Sequence, residues 1–356
     1  MRIYFSDQHA VHAPGAFVSR GQVTANPEMP ARADALLGAV KDAGHALVDS
    51  EAFGLEPVRA VHDADYLTFL ENAWRDWSVL PDHAPEVIPN VHPGRNMGGR
   101  PRAIVGRAGY YQADCACPIG PGTWEGIQVS ADCALSAASE VMSESATEYA
   151  YALCRPPGHH AYADMAGGFC FLNNTAIASQ YCRDHGAARV AIVDVDVHHG
   201  NGTQGIFYSR GDVLTASLHG DPAEFYPFFA GYAEEVGEGE GHGCNINVPL
   251  ARGTGDDAFM EYLQEVLARV RGFGPDVLVV ALGLDASEHD PLAFLKITTP
   301  GFSRIGEAIA AMGMPTVLVQ EGGYLSEHLG NNLAATLAGF EGICGDSIRI
   351  SPEGSA

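Results

Sequence analysis

Five runs of strand length are apolar almost without a break: "EYAYALC" (148–154), "RVAIVDVD" (189–196), "DVLTASLH" (212–219), "DVLVVALGLD" (276–285) and "PTVLVQEG" (315–322). A strand with one wet face alternates polar and apolar residues, so near-continuous runs need cover on both faces. Segments of helical periodicity, at about 174–185, 256–270 and 301–311, separate most of the runs and supply that cover. The pattern predicts an α/β fold: one open parallel sheet with helices on both faces. Upstream, "RIYFS" and "HALVD" read as strands, 30–44 as a helix with proline near its start and glycine at its end, and 63–77 as an amphipathic helix. No repeat, low-complexity tract or linker divides the chain, so its 356 residues are expected to form a single domain, 1–356.

From about Leu80 to Arg107 the periodicity vanishes. "PDHAPEVIPNVHPGRNMGGRPR" is too long for an ordinary connection and reads as an inserted functional or interface loop. Its apolar residues Val87, Ile88, Val91 and Met97 suit packing against a second subunit, and a two-fold homodimer is the commonest closed arrangement.

The polar residues gather where the strands stop. "RPPGHH" (155–160) follows the first run, and the second delivers Asp194, Asp196, His198 and His199. The third ends at Ser217 and His219, the fourth at Asp285, and the fifth runs into "EGGY" (321–324). Ligands of open α/β sheets bind outside the carboxyl ends of the strands, so these clusters are expected to share one crevice. The period of an extended chain puts Asp194, Asp196 and His198 on one side. Asp196 and His198, joined by Asp285, then make a three-donor metal site with an open position, as catalytic zinc requires. Two carboxylates to one imidazole is an oxygen-rich set, which leaves Fe²⁺, Co²⁺ or Mn²⁺ as other occupants. Of the two adjacent imidazoles, His159 is expected to pair with Asp194 and stay basic, and His160 to take the neutral Asn201 amide and a lower pKa. Tyr324, after two flexible glycines, is expected to swing its hydroxyl over a metal-bound carbonyl.

Composition narrows the partners. The balance of 44 acids against 20 bases gives −24, a field that repels nucleic acid and attracts cations. With 46% hydrophobic and 18% charged residues the chain can bury a large core. No basic and apolar leader follows Met1, and no apolar run approaches the ~20 residues of a membrane span. The expectation is a cytoplasmic protein with neither membrane nor nucleic acid as partner. Its eight cysteines are scattered and read as reduced thiols; Cys115 and Cys117 form only a C-x-C.

"RPPGHH", "GGFCFLNN" (167–174), "DVDVHHGNGTQ" (194–204), "SLHGDP", "GLDASEHDP" and "EGGY" occur in the order found in histone deacetylases. The chain resembles that family from about Arg2 to Gly339. The long loop before "GYYQADCACPIGPGTWEG" makes it more similar to the bacterial acetylpolyamine amidohydrolases within the family. The resemblance implies an arginase/deacetylase-like fold and a zinc site of Asp196, His198 and Asp285. It also implies His160 as general base and then acid, His159 as its electrostatic partner, and Tyr324 as oxyanion donor. Gly168, Phe169 and Tyr226 match residues that line the family's acyl-lysine tunnel, where Phe often stands in place of Tyr226. A structural K⁺ is implied at Asp194, Asp196, His198, Ser217 and Leu218, and a second, weaker match places K⁺ at Phe207, Arg210, Val213 and Cys244.

The rival from chemistry is a ureohydrolase with two manganese ions, which wants an acid where this chain has Ser287. A metal-binding sensor without catalysis is the rival from another class, and the presence of His159, His160 and Tyr324 speaks against it. Small cationic N-acetyl amines such as acetylated polyamines suit the charge and an aromatic tunnel. Arg95, Arg100, Arg102 and Arg107 would repel them if the long loop borders the mouth, which keeps acetyl-lysine open as substrate. Asp114 could offset those arginines.

Overall fold

The computed structural model describes residues 1–143 and 148–348, so 144–147 and 349–356 of the expected 1–356 domain lie outside the described residues. Its strands are β1 (Arg2–Phe5), β2 (Ala16–Ser19), β3 (Gln22–Ala25), β4 (Ala46–Asp49), β5 (Tyr149–Ala152), β6 (Val190–Asp194), β7 (Val213–Gly220), β8 (Asn245–Leu250), β9 (Val277–Leu282) and β10 (Thr316–Gln320). β2 and β3 form a separate antiparallel hairpin. The others make one eight-stranded sheet in the order β4-β1-β5-β10-β9-β6-β7-β8. Every neighbouring pair in it is parallel.

The apolar runs are explained by two cores, one on each face. Along β9, Leu278, Val280 and Leu282 enter one core while Val277 and Val279 enter the other. The period of two sends neighbours to opposite faces, so a strand covered on both sides must be apolar throughout. The helices Ala31–Asp42, Asp256–Phe273 and Thr299–Ala310 cover the first face through Leu36, Leu263 and Phe302. Ala64–Ser78, Thr123–Met142 and Asn174–Asp184 cover the second through Phe69, Leu135 and Ile177.

Three expectations need correction. The strand expected over 189–196 stops at Asp194, because Asp194 Oδ1 accepts the Asp196 N–H and Asp196 Oδ1 accepts the His198 N–H, which bends the chain. The long loop ends early: a helix begins at Ile104 and runs to Tyr111. Val87 does not wait for a second subunit; it is fully buried and exchanges backbone hydrogen bonds with Ile119 at 2.9 and 3.2 Å. Ile88 is half-buried, and only Val91 and Met97 of the four are exposed. Among the described residues, no helix is long and apolar enough to cross a membrane.

A buried ion cluster ties the N-terminal segment to the sheet. Glu28 accepts from Arg32 Nη1 at 2.8 Å and Arg155 Nη2 at 3.0 Å, and all three side chains are buried. Burial opposes the Glu28 charge, but Arg155 and Arg32 override it and hold the carboxyl below its ordinary range. Glu28→Ala would strand two guanidiniums away from water, and is expected to cost about 3–5 kcal/mol in urea unfolding. A loss below about 1 kcal/mol, the scale of a single hydrogen bond, would show that backbone carbonyls alone satisfy both arginines.

Candidate active site

The carboxyl ends of β5, β6, β7, β9 and β10 open on one edge of the sheet, and the segments leaving them hold the titratable clusters. One donor atom each from Asp196, His198 and Asp285 lies within 4.8 Å of the others, all three residues buried. His198 Nδ1 is 3.1 Å from Asp196 Oδ1 and 3.2 Å from Asp285 Oδ2. Asp285 Oδ2 nonetheless has no well-directed hydrogen-bond donor, although it is buried. An orphaned buried carboxylate oxygen calls for a cation, and a buried set of two carboxylates and one imidazole fits a divalent ion with an open position. The backbone comes unusually close here. A Cβ on Gly322 would sit 2.1 Å from Asp285 Oδ2, and its N–H donates to Asp196 Oδ2 at 2.7 Å. Burial opposes charge on His198, but Asp196 and Asp285 override it and lift its pKa to about 9.

The adjacent imidazoles, 4.0 Å apart, are driven in opposite directions. His159 Nδ1 lies 2.8 Å from Asp194 Oδ2. Burial opposes its charge, yet Asp194 and Asp196 override it and lift its pKa to about 10. His160 Nδ1 lies 2.6 Å from Asn201 Oδ1. Burial, with His159 and His198 adding to it, pushes His160 well below 6.5. His160 is therefore neutral, and with Nδ1–H donated to Asn201 its lone pair sits on Nε2.

Tyr324 does not swing freely on its glycines. It is buried, its N–H donates to Asp290 Oδ2 at 2.8 Å, and the Arg32 guanidinium stands 4.7 Å over its ring. Arg32 also donates to the carbonyls of Gly323 at 2.5 Å and Glu321 at 2.8 Å, holding the loop that carries the phenol. Burial keeps the phenol well above 10, partly offset by Arg32, so it is a proton donor at neutral pH.

Phe169 and Tyr226 flank this centre. Phe169 sets its ring edge-on to Tyr324 at 5.7 Å, and Tyr226 does so to His160 at 5.0 Å. Gly168 and Phe169 both have left-handed φ, +52° and +70°. A Cβ on Gly168 would meet His160 Cδ2 at 2.4 Å, so glycine is required.

Among the residues implied for K⁺, Ser217 is the register partner of Asp194 and buried Leu218 follows it. A void of about 10 Å³ beside Asp194 and Ser217 has room for one water-sized sphere. In the weaker set, the Phe207 and Cys244 carbonyls already accept the Arg210 and Thr215 N–H groups at 2.9 Å, and Val213 opens β7.

Three residues of the site were not given roles from sequence, and a fourth, Asp114, was expected only to offset the loop arginines. Glu321 Oε2 accepts the N–H groups of Gly158 at 2.5 Å and His159 at 3.0 Å, and Oε1 accepts the Thr175 hydroxyl at 2.6 Å. It lies near His159 and Cys170 but is fully used in holding the histidine loop. Glu321 and Asp290 stand inside quoted motifs, which was their signal. Arg32 had none: on a helix it reads as a surface arginine. Asp114 turns out to touch both Gly168 and Tyr226.

The histone deacetylase domain family matches residues 26–340. The chain is 47% identical over 343 residues to acetylpolyamine amidohydrolase 1 of Pseudomonas aeruginosa, covering 95% of this chain and 98% of that one. It is 46% identical over 344 residues to the acetylpolyamine amidohydrolase of Mycoplana ramosa, covering 96% and 100%. The crystal structure of acetylpolyamine aminohydrolase from Burkholderia pseudomallei superposes with a TM-score of 0.93 at 44% identity, covering 96% of this chain and 99% of that one. By matched length, identity and fold, this chain belongs to the histone deacetylase family.

Proposed function

We propose that this protein, an amide-bond hydrolase by family, removes acetyl groups from small cationic N-acetyl amines, acetylated polyamines foremost, with the aid of a divalent metal. The observation that carries the reading is geometric: His160, 2.6 Å from the Asn201 amide oxygen, and buried Tyr324 stand beside a buried three-donor centre with an orphaned carboxylate oxygen, and burial favours the neutral form of both side chains. Asp196, His198 and Asp285 would hold Zn²⁺, or Fe²⁺, Co²⁺ or Mn²⁺ in its place, which when bound supplies Lewis-acid polarisation of the acyl carbonyl and a more acidic water. His160 Nε2 takes the proton of the attacking water and returns it to the departing amine. The Tyr324 hydroxyl donates to the carbonyl oxygen as charge develops there. His159, held as a cation by Asp194, discourages a second positive charge on His160 and keeps it a base. A structural K⁺ at Asp194, Asp196, His198, Ser217 and Leu218 belongs to the same proposal, supported by the small polar void beside Asp194. So does a cytoplasmic location.

The ureohydrolase reading loses support at Ser287, whose Oγ accepts the His289 N–H at 3.3 Å where a second metal would need an acid. The polyamine reading gains support in the long loop. Two of the four arginines are paired, Arg100 of the loop with Asp65 at 2.6 Å and Arg107 of the following helix with Asp76 at 3.1 Å, which weakens their repulsion of a cation.

The −24 field should speed the encounter of a cation. For acetylspermidine kcat/KM is expected to fall as salt rises from 0.02 to ~0.5 M, as the Debye length shrinks from ~20 Å to ~4 Å, and for an uncharged N-acetyl amide to stay level. An acetyl-lysine peptide hydrolysed tenfold or more faster, roughly a 1.4 kcal/mol preference, would transfer the reading to a protein deacetylase. Exposed Val91 and Met97 support a homodimer through the long loop. Sedimentation should give a dimer at micromolar concentration and a weaker one for the double change Val91→Asp with Met97→Asp; a wild-type monomer would rule it out.

A further inference from the structure

Asp114 lies in the quoted stretch 109–126, outside the motifs that carry the catalytic and metal-site residues, and it is half-buried between the two aromatic walls of the centre. Its Oδ2 accepts the Gly168 N–H at 3.1 Å and the Tyr226 hydroxyl at 2.7 Å, while Oδ1 accepts the Ala116 N–H at 2.8 Å. One wall begins at Gly168 and carries Phe169, whose ring faces Tyr324. The other wall is Tyr226, whose ring faces His160 at 87° and His198 at 74°. One carboxylate oxygen therefore binds both sides of the passage to His160.

The walls have little slack at this level. A Cβ on Gly168 would come within 3.0 Å of the Tyr226 hydroxyl as well as 2.4 Å of His160. Phe169 holds a left-handed φ of +70°, which a side chain adopts only when its surroundings impose it. The bond from Gly168 N–H to Asp114 fixes the residue before it.

We propose that Asp114 and the Tyr226 hydroxyl form a clamp that fixes the width of the passage, and so selects N-acetyl amines that are linear next to nitrogen over those that are branched there. The proposal rests on the amidohydrolase reading. Asp114 acts here as a positioning residue: it touches the walls, and the walls touch the substrate. Phenylalanine at position 226 would keep the ring and lose the tether. Alanine at 114 would release both walls.

The test compares acetylputrescine with its analogue carrying one methyl on the carbon bonded to the acetylated nitrogen. A pocket discriminates one such group by ~10-fold or more, so the wild type is expected to favour the linear substrate by about that ratio of kcat/KM. Tyr226→Phe and Asp114→Ala should each lower the ratio by at least about threefold, acting mainly through the KM of the branched substrate, a modest part of that discrimination. Because they cut the same link, the double variant should match Asp114→Ala alone. Asp114→Asn, whose amide oxygen can still accept from both walls, should recover part of the ratio. An unchanged ratio in Tyr226→Phe, or additive effects in the double variant, overturns the clamp while wild-type turnover upholds the hydrolase. A wild type that hydrolyses neither substrate overturns both. Tyr226→Phe removes only one exchangeable contact, so it keeps the test decisive if Asp114→Ala does not fold.

Discussion

Asp285→Ala protein is expected to unfold cooperatively like the wild type and to show no turnover above background. The side chain would contribute one of the three proposed donors, and without it only Asp196 and His198, already 3.1 Å apart, remain. The fold is expected to survive, because the two apolar cores lie on the faces of the sheet, although the Val197 N–H loses its acceptor at 3.0 Å. Melting with and without Zn²⁺ separates this from a folding defect. Metal at ~1,000 times its dissociation constant should stabilise the wild type by about 4 kcal/mol, and the variant by almost nothing. Equal stabilisation of both proteins would place the ion elsewhere. Two equivalents of transition metal in active wild-type protein would also defeat the single-ion reading.

His160→Ala is expected to lower kcat by ~10³ or more, since both proton transfers are proposed to pass through Nε2 and general acid–base catalysis contributes up to ~10⁴. Tyr324→Phe should cost ~10²–10³, the loss of one oxyanion donor. The pH dependence separates them. His160 has a depressed pKa, so it is a competent base down to pH values below the usual imidazole range and is lost only as pH falls through its own pKa. That acid limb should persist in Tyr324→Phe and vanish in His160→Ala. Near-normal kcat in either variant with metal bound would show that its role is misplaced.

Much of this was legible because two kinds of signal are strong in one dimension. Residues of β6, β9 and β10 are apolar on both faces, which only a doubly covered sheet permits, and the acids and histidines cluster where those strands end. Other elements were hidden for stated reasons. The helix Thr123–Met142 buries Ile127, Ala131, Cys133, Leu135 and Ser136 around much of its girth, so its sequence lacks a clean apolar stripe. β8 reads "NINVPL", where Asn245 and Asn247 serve Gln204 and Glu235 on the polar side of an edge strand that tolerates Pro249. Arg32 and Asp114 were illegible because their importance lies in partners 291 and 112 residues away, Gly323 and Tyr226. Only the assembled sheet brings them together.

The place of β10 has a consequence for how the chain reaches this state. The last strand among the described residues is not at an edge; it sits between β5 and β9. Until Thr316–Gln320 emerges, the earlier strands can form only two separate sheets, β4-β1-β5 and β9-β6-β7-β8, each with an unpaired apolar border facing the gap. Such borders invite pairing with other chains, and closing them demands contacts between residues more than 160 positions apart, as in the hydrogen-bonded pair Tyr151 and Gln320. Folding is therefore committed late, and a chain stopped before β10 would be prone to aggregate rather than merely inactive.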